Sequence, residues 1–371
     1  MPADAPTDSP AAVDPSHGAE ALAPYDALLL VSFGGPEAPE EVMPFLRQVT
    51  GGRGIPEERL AEVAEHYFHA GGRSPINDQC RELLAALRAE LDARGISTPL
   101  YWGNRNTRPW LGETMAEVAR DGHRRVLALT TSAYPSYSSC RQYRENLFDA
   151  WDQVRGQGVE LQVDRIRHYA MHPGFLQANV DAVGAAVERS GEDVPHLLFV
   201  THSLPTAMAE TAGPAPRSAA GAYVEWHEQV AAEVTRQLSE RTGRSYDWDL
   251  VYCSRSGPPS QPWLEPDVND RMRELAAAGV GSVVVAPIGF VSDHMEVAYD
   301  LDTEAAETAA ELGLRMERAG TAGVHPAFVS GLVDLAVERA AAERPTPAGV
   351  GARGVAGAFP LTCTSDCCPN L

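Results

Sequence analysis

Three stretches of this chain recur in the same order, and that repetition limits what the chain can fold into. ALLLVSFGGP at 27–36 matches HLLFVTHSLP at 196–205, placing Phe33 opposite His202. MAEVARDGHRRVLAL from Met115 lies over MRELAAAGVGSVVVA from Met272 without a gap, and Pro109-Trp110-Leu111 recurs as Pro262-Trp263-Leu264. Each copy alternates short apolar runs with helical patterns. Strands are expected at 100–102, 126–130, 160–164, 197–201, 250–253 and 283–286, besides the run from Ala27. Such alternation implies parallel sheets covered by helices on both faces. Two similar α/β halves follow, with a cleft between them lined by equivalent strand ends. Phe33, the turn at 132–140, His202 and the turn at 292–296 should converge there.

A chain of 371 residues with 44% hydrophobic content holds two ordinary domains. The divisions read as a disordered tail at 1–24, rich in Pro, Ala and Asp, and a first domain at 25–180. A second domain covers 181–325, a helix at 326–345 completes the first, and a linker with a cysteine-bearing tail fills 346–371. The N-terminus has neither basic residues nor an apolar core, so it does not read as a secretory signal. No aliphatic run approaches the roughly 20 residues needed to span a bilayer. A cytoplasmic monomer is the expectation. The formal charge of −21 repels nucleic acid and anionic membranes. An acidic ligand would need arginines gathered locally, for which Arg47, Arg53 and Arg73 are candidates.

Two segments carry candidate chemistry. An apolar strand delivers His202 to its C-terminal end, where side chains face a cleft. Past another strand end, Glu296, Asp300 and Glu304 recur every four residues. On a helix that spacing stacks three carboxylates on one face, which is repulsive unless cations or solvent compensate. Most such ladders are solvated faces. This one begins two residues after His294, where α/β proteins place ligands, so a metal relay is the sharper reading.

His202-Ser203-Leu204-Pro205 and Ser292-Asp293-His294-Met295-Glu296, with Asp300 and Glu304, resemble the signature motifs of ferrochelatases. Gly71-Gly72-Arg73-Ser74-Pro75 and Ser132-Ala133-Tyr134-Pro135-Ser136-Tyr137-Ser138 are similar to the family's porphyrin-contacting segments. The resemblance implies two Rossmann-like domains of the class II chelatase type, their parallel sheets facing a central cleft. It implies a lyase that inserts Fe2+ into a porphyrin and releases two protons. His202 and Glu296 would be the catalytic pair and ligands of the substrate iron, with metal ligand and base not separable by sequence. Asp300 and Glu304 would relay metal or protons. The same likeness names Phe33, Arg53, His66, Tyr67, Ser74 and Tyr143 as porphyrin contacts.

The stretch PFLRQVTGGRGIPEERLAEVAEHYFHAGG is mostly polar where membrane-associated relatives carry an apolar lip. A polar lip suits the four carboxylates of coproporphyrin III better than the two of protoporphyrin IX. In several relatives a tyrosine stands at Phe33 and can ligate product iron; phenylalanine cannot. Three of the six cysteines fall in the last nine residues. Soft thiolates there suggest a metal or iron–sulfur site, and the resemblance implies a [2Fe–2S] cluster on Cys140, Cys363, Cys367 and Cys368. Cys80 and Cys253 read as buried small hydrophobes. The rival readings are a protoporphyrin IX ferrochelatase, cobalt insertion into sirohydrochlorin, and a haem- or iron–sulfur-binding protein without turnover.

Overall fold

The computed structural model describes residues 18, 20–51, 54–214, 218–257, 260–343 and 367–369. Its first sheet contains β1 (Ala27–Ser32), β2 (Leu100–Asn104), β3 (Arg125–Thr130) and β4 (Gln162–Arg165), all parallel, in the order β2-β1-β3-β4. Its second contains β5 (His196–His202), β6 (Trp248–Cys253), β7 (Ser282–Ala286) and β8 (Arg315–Arg318), parallel again, in the order β6-β5-β7-β8. The two orders are equivalent, so the repeat seen in sequence is a repeat of topology. β1 and β7 are buried along their whole length, as central strands covered on both faces must be. The edge strands β4 and β8 read QVDR and RMER. Charged edges discourage further pairing, and the same charge hid β8 from the apolar-run criterion.

The helices after β1 are α1 (Pro39–Val49), α2 (Glu57–His69) and α3 (Ile76–Ala93); α4 (Leu111–Arg120) and α5 (Gln142–Arg155) follow β2 and β3. Past β4 come α6 (Pro173–Ser190), α7 (Thr206–Glu210), α8 (Gly221–Thr242), α9 (Val268–Ala277), α10 (Met295–Tyr299), α11 (Ala305–Leu312) and α12 (Pro326–Glu343). Alternate strand residues point to opposite faces. Leu29 and Val31 of β1 therefore pack with α4 and α5, and Leu198 and Val200 of β5 with α9 and α11. Leu28, Leu30, Leu197 and Phe199 turn the other way, into one core that also holds α6, α8 and α12. The halves share that core, and each large side chain fully buried in it contributes about 1.5–3 kcal/mol. Helix α12 is further tied to the first half by ion pairs Arg94–Asp334 (2.6 Å), Arg167–Glu338 (2.7 Å) and Arg339–Asp164 (3.0 Å).

Residues 1–17 and 19 of the expected tail lie outside the described residues, but Ala21 and Leu22 are buried in the shared core. Among the described residues no helix is long and apolar enough to cross a membrane. In both sheets the chain leaves the second strand in the order for one side and then crosses to the other. The crevice outside the carboxyl ends at such a reversal is where open α/β sheets bind ligands. Here those ends are Phe33 after β1, the 131–140 turn after β3, His202 on β5 and the 287–296 turn after β7.

Candidate active site

His202 is the last residue of β5, in register with Cys253 at the end of β6. Its Nδ1–H donates to the Ser203 carbonyl (2.6 Å), so the neutral ring keeps its lone pair on Nε2. Its backbone carbonyl accepts the Tyr223 hydroxyl (2.9 Å). The Thr201 hydroxyl is shared between that of Tyr223 (2.8 Å) and Nε2 of His227 (2.9 Å). Burial pushes the pKa of His227 down to about 3, which keeps it neutral. Tyr134 of the first half stacks on the His227 ring with centroids 3.5 Å apart. The turn after β3 is thereby held against the strand that presents His202.

The opposite wall is the turn into α10. His294 caps this helix, its Nδ1 accepting the Val297 N–H (3.3 Å). Burial and then the neighbouring His202 lower the His294 pKa to about 4. Glu296 lies in the first turn, half-buried, and burial raises its pKa to about 7. Asp300 is raised to about 7 as well, by burial and then by the charge of Glu296. Glu304 is exposed, and its pKa is raised too, first by partial burial and then by the charge of Asp267. The expected helix forms without a break but is not a regular α-helix. Helix α10 opens at Asp300 into a π turn, Asp300–Glu304, before α11 resumes. Such wide turns recur at functional sites. The acidic series survives as a path from exposed Glu304 inward to Glu296.

The first half supplies the rest. Phe33 lies 6.3 Å from the His294 ring and 6.2 Å from Phe45. The lip read as polar is an α1–α2 hairpin whose inner face is apolar: Val42, Phe45, Leu46, Leu60, Ala64 and Tyr67 pack on Met295. Helical spacing gathers these few apolar residues on one side, so composition alone describes only the outer face. Tyr67 is buried, and the charges of Glu296 and Asp300 raise its pKa after burial does. His66 stacks on Tyr299 at 3.8 Å, beside the acidic path. Ser74 is buried and its Oγ accepts the Met295 N–H (3.2 Å), while Gln79 Oε1 accepts the Asp293 N–H (2.8 Å). Gly72 has φ +76° and packs so closely on Pro39 that a Cβ would lie 2.5 Å from its Cα. That position accepts glycine alone.

The cations differ from expectation. Arg47 and Arg73 are exposed and paired with Glu57 (2.9 Å) and Asp78 (2.6 Å) rather than offered to the crevice. Arg53 lies outside the described residues. Arg105, which motif reasoning missed, is buried just past β2. Its guanidinium sits 5.4 Å from the Phe33 ring and 4.4 Å from the Tyr143 ring, with Nε donating to Asn146 Oδ1 (2.6 Å). Tyr143 is buried beneath it, its hydroxyl 3.2 Å from that of Thr131. The strand-end rule that selected His202 would have selected Arg105 too.

Cys140, Cys367 and Cys368 are buried, and Cys363 lies outside the described residues. The Sγ atoms of Cys367 and Cys368 are 3.7 Å apart. Cys368 Sγ accepts the Gly213 N–H (3.1 Å), and Arg141, next to Cys140, donates to the Cys367 carbonyl (3.2 Å). Arg165 donates to the Cys140 carbonyl (3.0 Å) with both terminal nitrogens 3.9 Å from its sulfur. No group of three or more metal-binding side chains is formed among the described residues. Cys80 and Cys253 are buried, as expected of small hydrophobes.

A strand-end imidazole beside buried carboxylates, on two duplicated parallel sheets, defines a two-part α/β protein equipped to handle a cation and protons together. The chain belongs to the ferrochelatase family, whose model, described as Ferrochelatase, matches residues 25–340. It is 53% identical over 93% of its length to a protein of Streptomyces coelicolor named coproporphyrin III ferrochelatase, covering 94% of that protein. A Streptomyces griseus protein of the same name is 53% identical, with 94% of each chain covered. A Rhodopirellula baltica ferrochelatase is 47% identical, again with 94% of each covered.

Proposed function

We propose that the crevice inserts Fe2+ into coproporphyrin III, with His202 taking pyrrole protons and the carboxylates handling iron. The observation that carries this division of labour is the arrangement of the two walls. On one, Glu304, Asp300 and Glu296 lead from solvent to the crevice, a path for a hydrated dication whose oxygen ligands suit ferrous iron. On the other, His202 presents an Nε2 lone pair, with its ring fixed through Nδ1. Metallation replaces two N–H protons by one Fe2+, so a base and a metal donor must work on the same ring. Neutral imidazole is the suitable base near pH 7. Glu296, with a pKa of about 7, changes charge as iron arrives or leaves, which lets it pass the metal on rather than trap it. The partly exposed Phe33 and His66 would meet the macrocycle, while the buried Ser74, Tyr67 and Tyr143 would support the walls around it.

Relatives named for coproporphyrin III, the buried Arg105 and the polar outer face of the hairpin support the four-carboxylate substrate. The test is steady-state iron insertion under anaerobic conditions with each porphyrin. The efficiency kcat/KM should be higher for coproporphyrin III than for protoporphyrin IX. Arg53→Ala should raise KM for coproporphyrin III about tenfold and change KM for protoporphyrin IX less, since a charge-assisted hydrogen bond is worth roughly 1.5–3 kcal/mol. Equal efficiency on both porphyrins in the unmutated protein counts against the assignment.

A [2Fe–2S] cluster on Cys140, Cys363, Cys367 and Cys368 fits what is described of the cysteine site. Two thiolates on one tetrahedral metal with bonds near 2.3 Å lie about 3.8 Å apart, close to the 3.7 Å between Cys367 and Cys368. Arg165 and the Gly213 N–H then face ligand sulfurs, as donors to anionic sulfur should. When bound, the cluster would supply a one-electron centre and a cross-link. The chain's own residues join both halves at that point, Arg141 and Arg165 from the first and Gly213 from the second. Cys140→Ser should remove the visible absorption of anaerobically purified protein as fully as deleting residues 363–371, and Cys80→Ser should leave it unchanged. Iron-free, colourless wild-type protein with full activity would remove the cluster and leave the chelatase reading intact.

A further inference from the structure

We infer that Ser254 is a positioning residue for iron delivery, holding Asp300 in the crevice; the inference rests on the proposed acidic iron path. Ser254 immediately follows β6, whose last residue is the register partner of His202. It therefore stands on the His202 wall, across from the π turn. Two observations single it out. Its Oγ donates to Asp300 Oδ2, the carboxylate midway along the path. Its backbone has φ +61°, and among the described non-glycine residues only Cys368 shares that left-handed conformation. L-residues with a Cβ are disfavoured there, and such strain persists where the surroundings over-determine it, commonly at functional sites.

Glycine would hold that backbone shape without the steric cost, so a serine at this position has to be accounted for by its hydroxyl. The hydroxyl also lies 3.4 Å from Cys253 Sγ, a contact too weak to serve the purpose. The bond to Asp300 is the strong one, because its acceptor is a carboxylate. It crosses from the strand-end wall to the first residue of the π turn, where the regular helical ladder is interrupted. Without it, Asp300 is free to rotate out toward solvent or toward an incoming cation. The path from Glu304 to Glu296 would then lose its fixed middle point. Positioning errors of this kind raise the amount of iron needed while leaving the porphyrin pocket unaffected.

The experiment measures KM for Fe2+ and KM for coproporphyrin III separately in Ser254→Gly, Ser254→Ala and Ser254→Asn. Ser254→Gly keeps the backbone shape and removes the donor, so it should raise KM for Fe2+ about tenfold at unchanged KM for porphyrin and unchanged thermal midpoint. Ser254→Asn, which tolerates the left-handed region and supplies an amide donor, should recover most of that loss. Ser254→Ala should lose iron affinity like Ser254→Gly and lower the thermal midpoint as well. Wild-type KM for Fe2+ in Ser254→Gly, or equal rises for both substrates, would overturn the inference. If wild-type protein turns over no porphyrin, the proposed function fails first, and that outcome is read before any variant. Should Ser254→Ala not fold, the comparison of glycine with asparagine still decides.

Discussion

Replacing His202 by alanine is expected to reduce iron insertion by about 100- to 10,000-fold, the usual contribution of a positioned general base, while coproporphyrin III still binds. The ring is fixed by its Nδ1–H bond to Ser203 and the strand end by Tyr223 on its carbonyl. Only the carbonyl contact survives the substitution, so the strand should keep its place and the loss should be chemical. Nor can His294 take over. Its Nδ1 is engaged by the Val297 N–H and its pKa is held near 4, which makes it a poor proton acceptor at neutral pH. Fluorescence titration of the porphyrin, alongside stopped-flow metallation, separates binding from chemistry. Turnover within a factor of a few of wild type would remove His202 from the mechanism.

Glu296→Gln is expected to be the next most damaging change, with Asp300→Gln intermediate and Glu304→Gln mildest, following their order along the path. The carboxylate also leaves a signature in stability. The Glu296 pKa is raised from 4.5 to about 7 in the folded protein. The native state therefore holds its proton more tightly than the unfolded chain, and stability falls as pH rises from about 4.5 to about 7. Below that window the group costs nothing; above it the full cost is present, at most about 3 kcal/mol. Glu296→Gln removes an ionisable group, so its thermal midpoint should exceed that of wild type at pH 8 and match it near pH 4. Iron-dependent turnover of wild type should rise through pH 7 as Glu296 and Asp300 ionise, and the variant should lose the Glu296 part of that limb. A destabilised variant at pH 8 would show that Glu296 is instead held ionised by partners.

Much of this was legible because strand ends announce themselves. The apolar runs before Phe33 and His202 are followed at once by polar or glycine-rich turns, and that pattern fixes both the fold and the direction in which His202 points. The carboxylates were legible by spacing, but spacing presumes a regular helix. Nothing in DLDTE signals a π turn, and the Ser254–Asp300 bond made at its first residue joins segments 46 residues apart, which spacing does not show. The apolar inner face of the hairpin went unread for a related reason. The hairpin's composition is polar, yet Val42, Phe45, Leu60, Ala64 and Tyr67 share one side, and periodicity within a mixed segment matters more than its average. Arg47 and Arg73 looked available because sequence proximity does not show ion pairing; their partners Glu57 and Asp78 lie close by in the chain. Arg105 belongs to no quoted motif; its place just past β2 was the available signal, and its nearness to the Phe33 and Tyr143 rings appears only in the fold.

The most direct measurement mixes catalytic amounts of the anaerobic wild-type protein with Fe2+ and coproporphyrin III, following the porphyrin spectrum and the proton balance together. The account predicts that free-base bands give way to those of the iron complex over many turnovers, with two protons released per iron inserted. Tight binding of the porphyrin with an unchanged free-base spectrum and no proton release would contradict it, and would make the crevice a binding site without turnover.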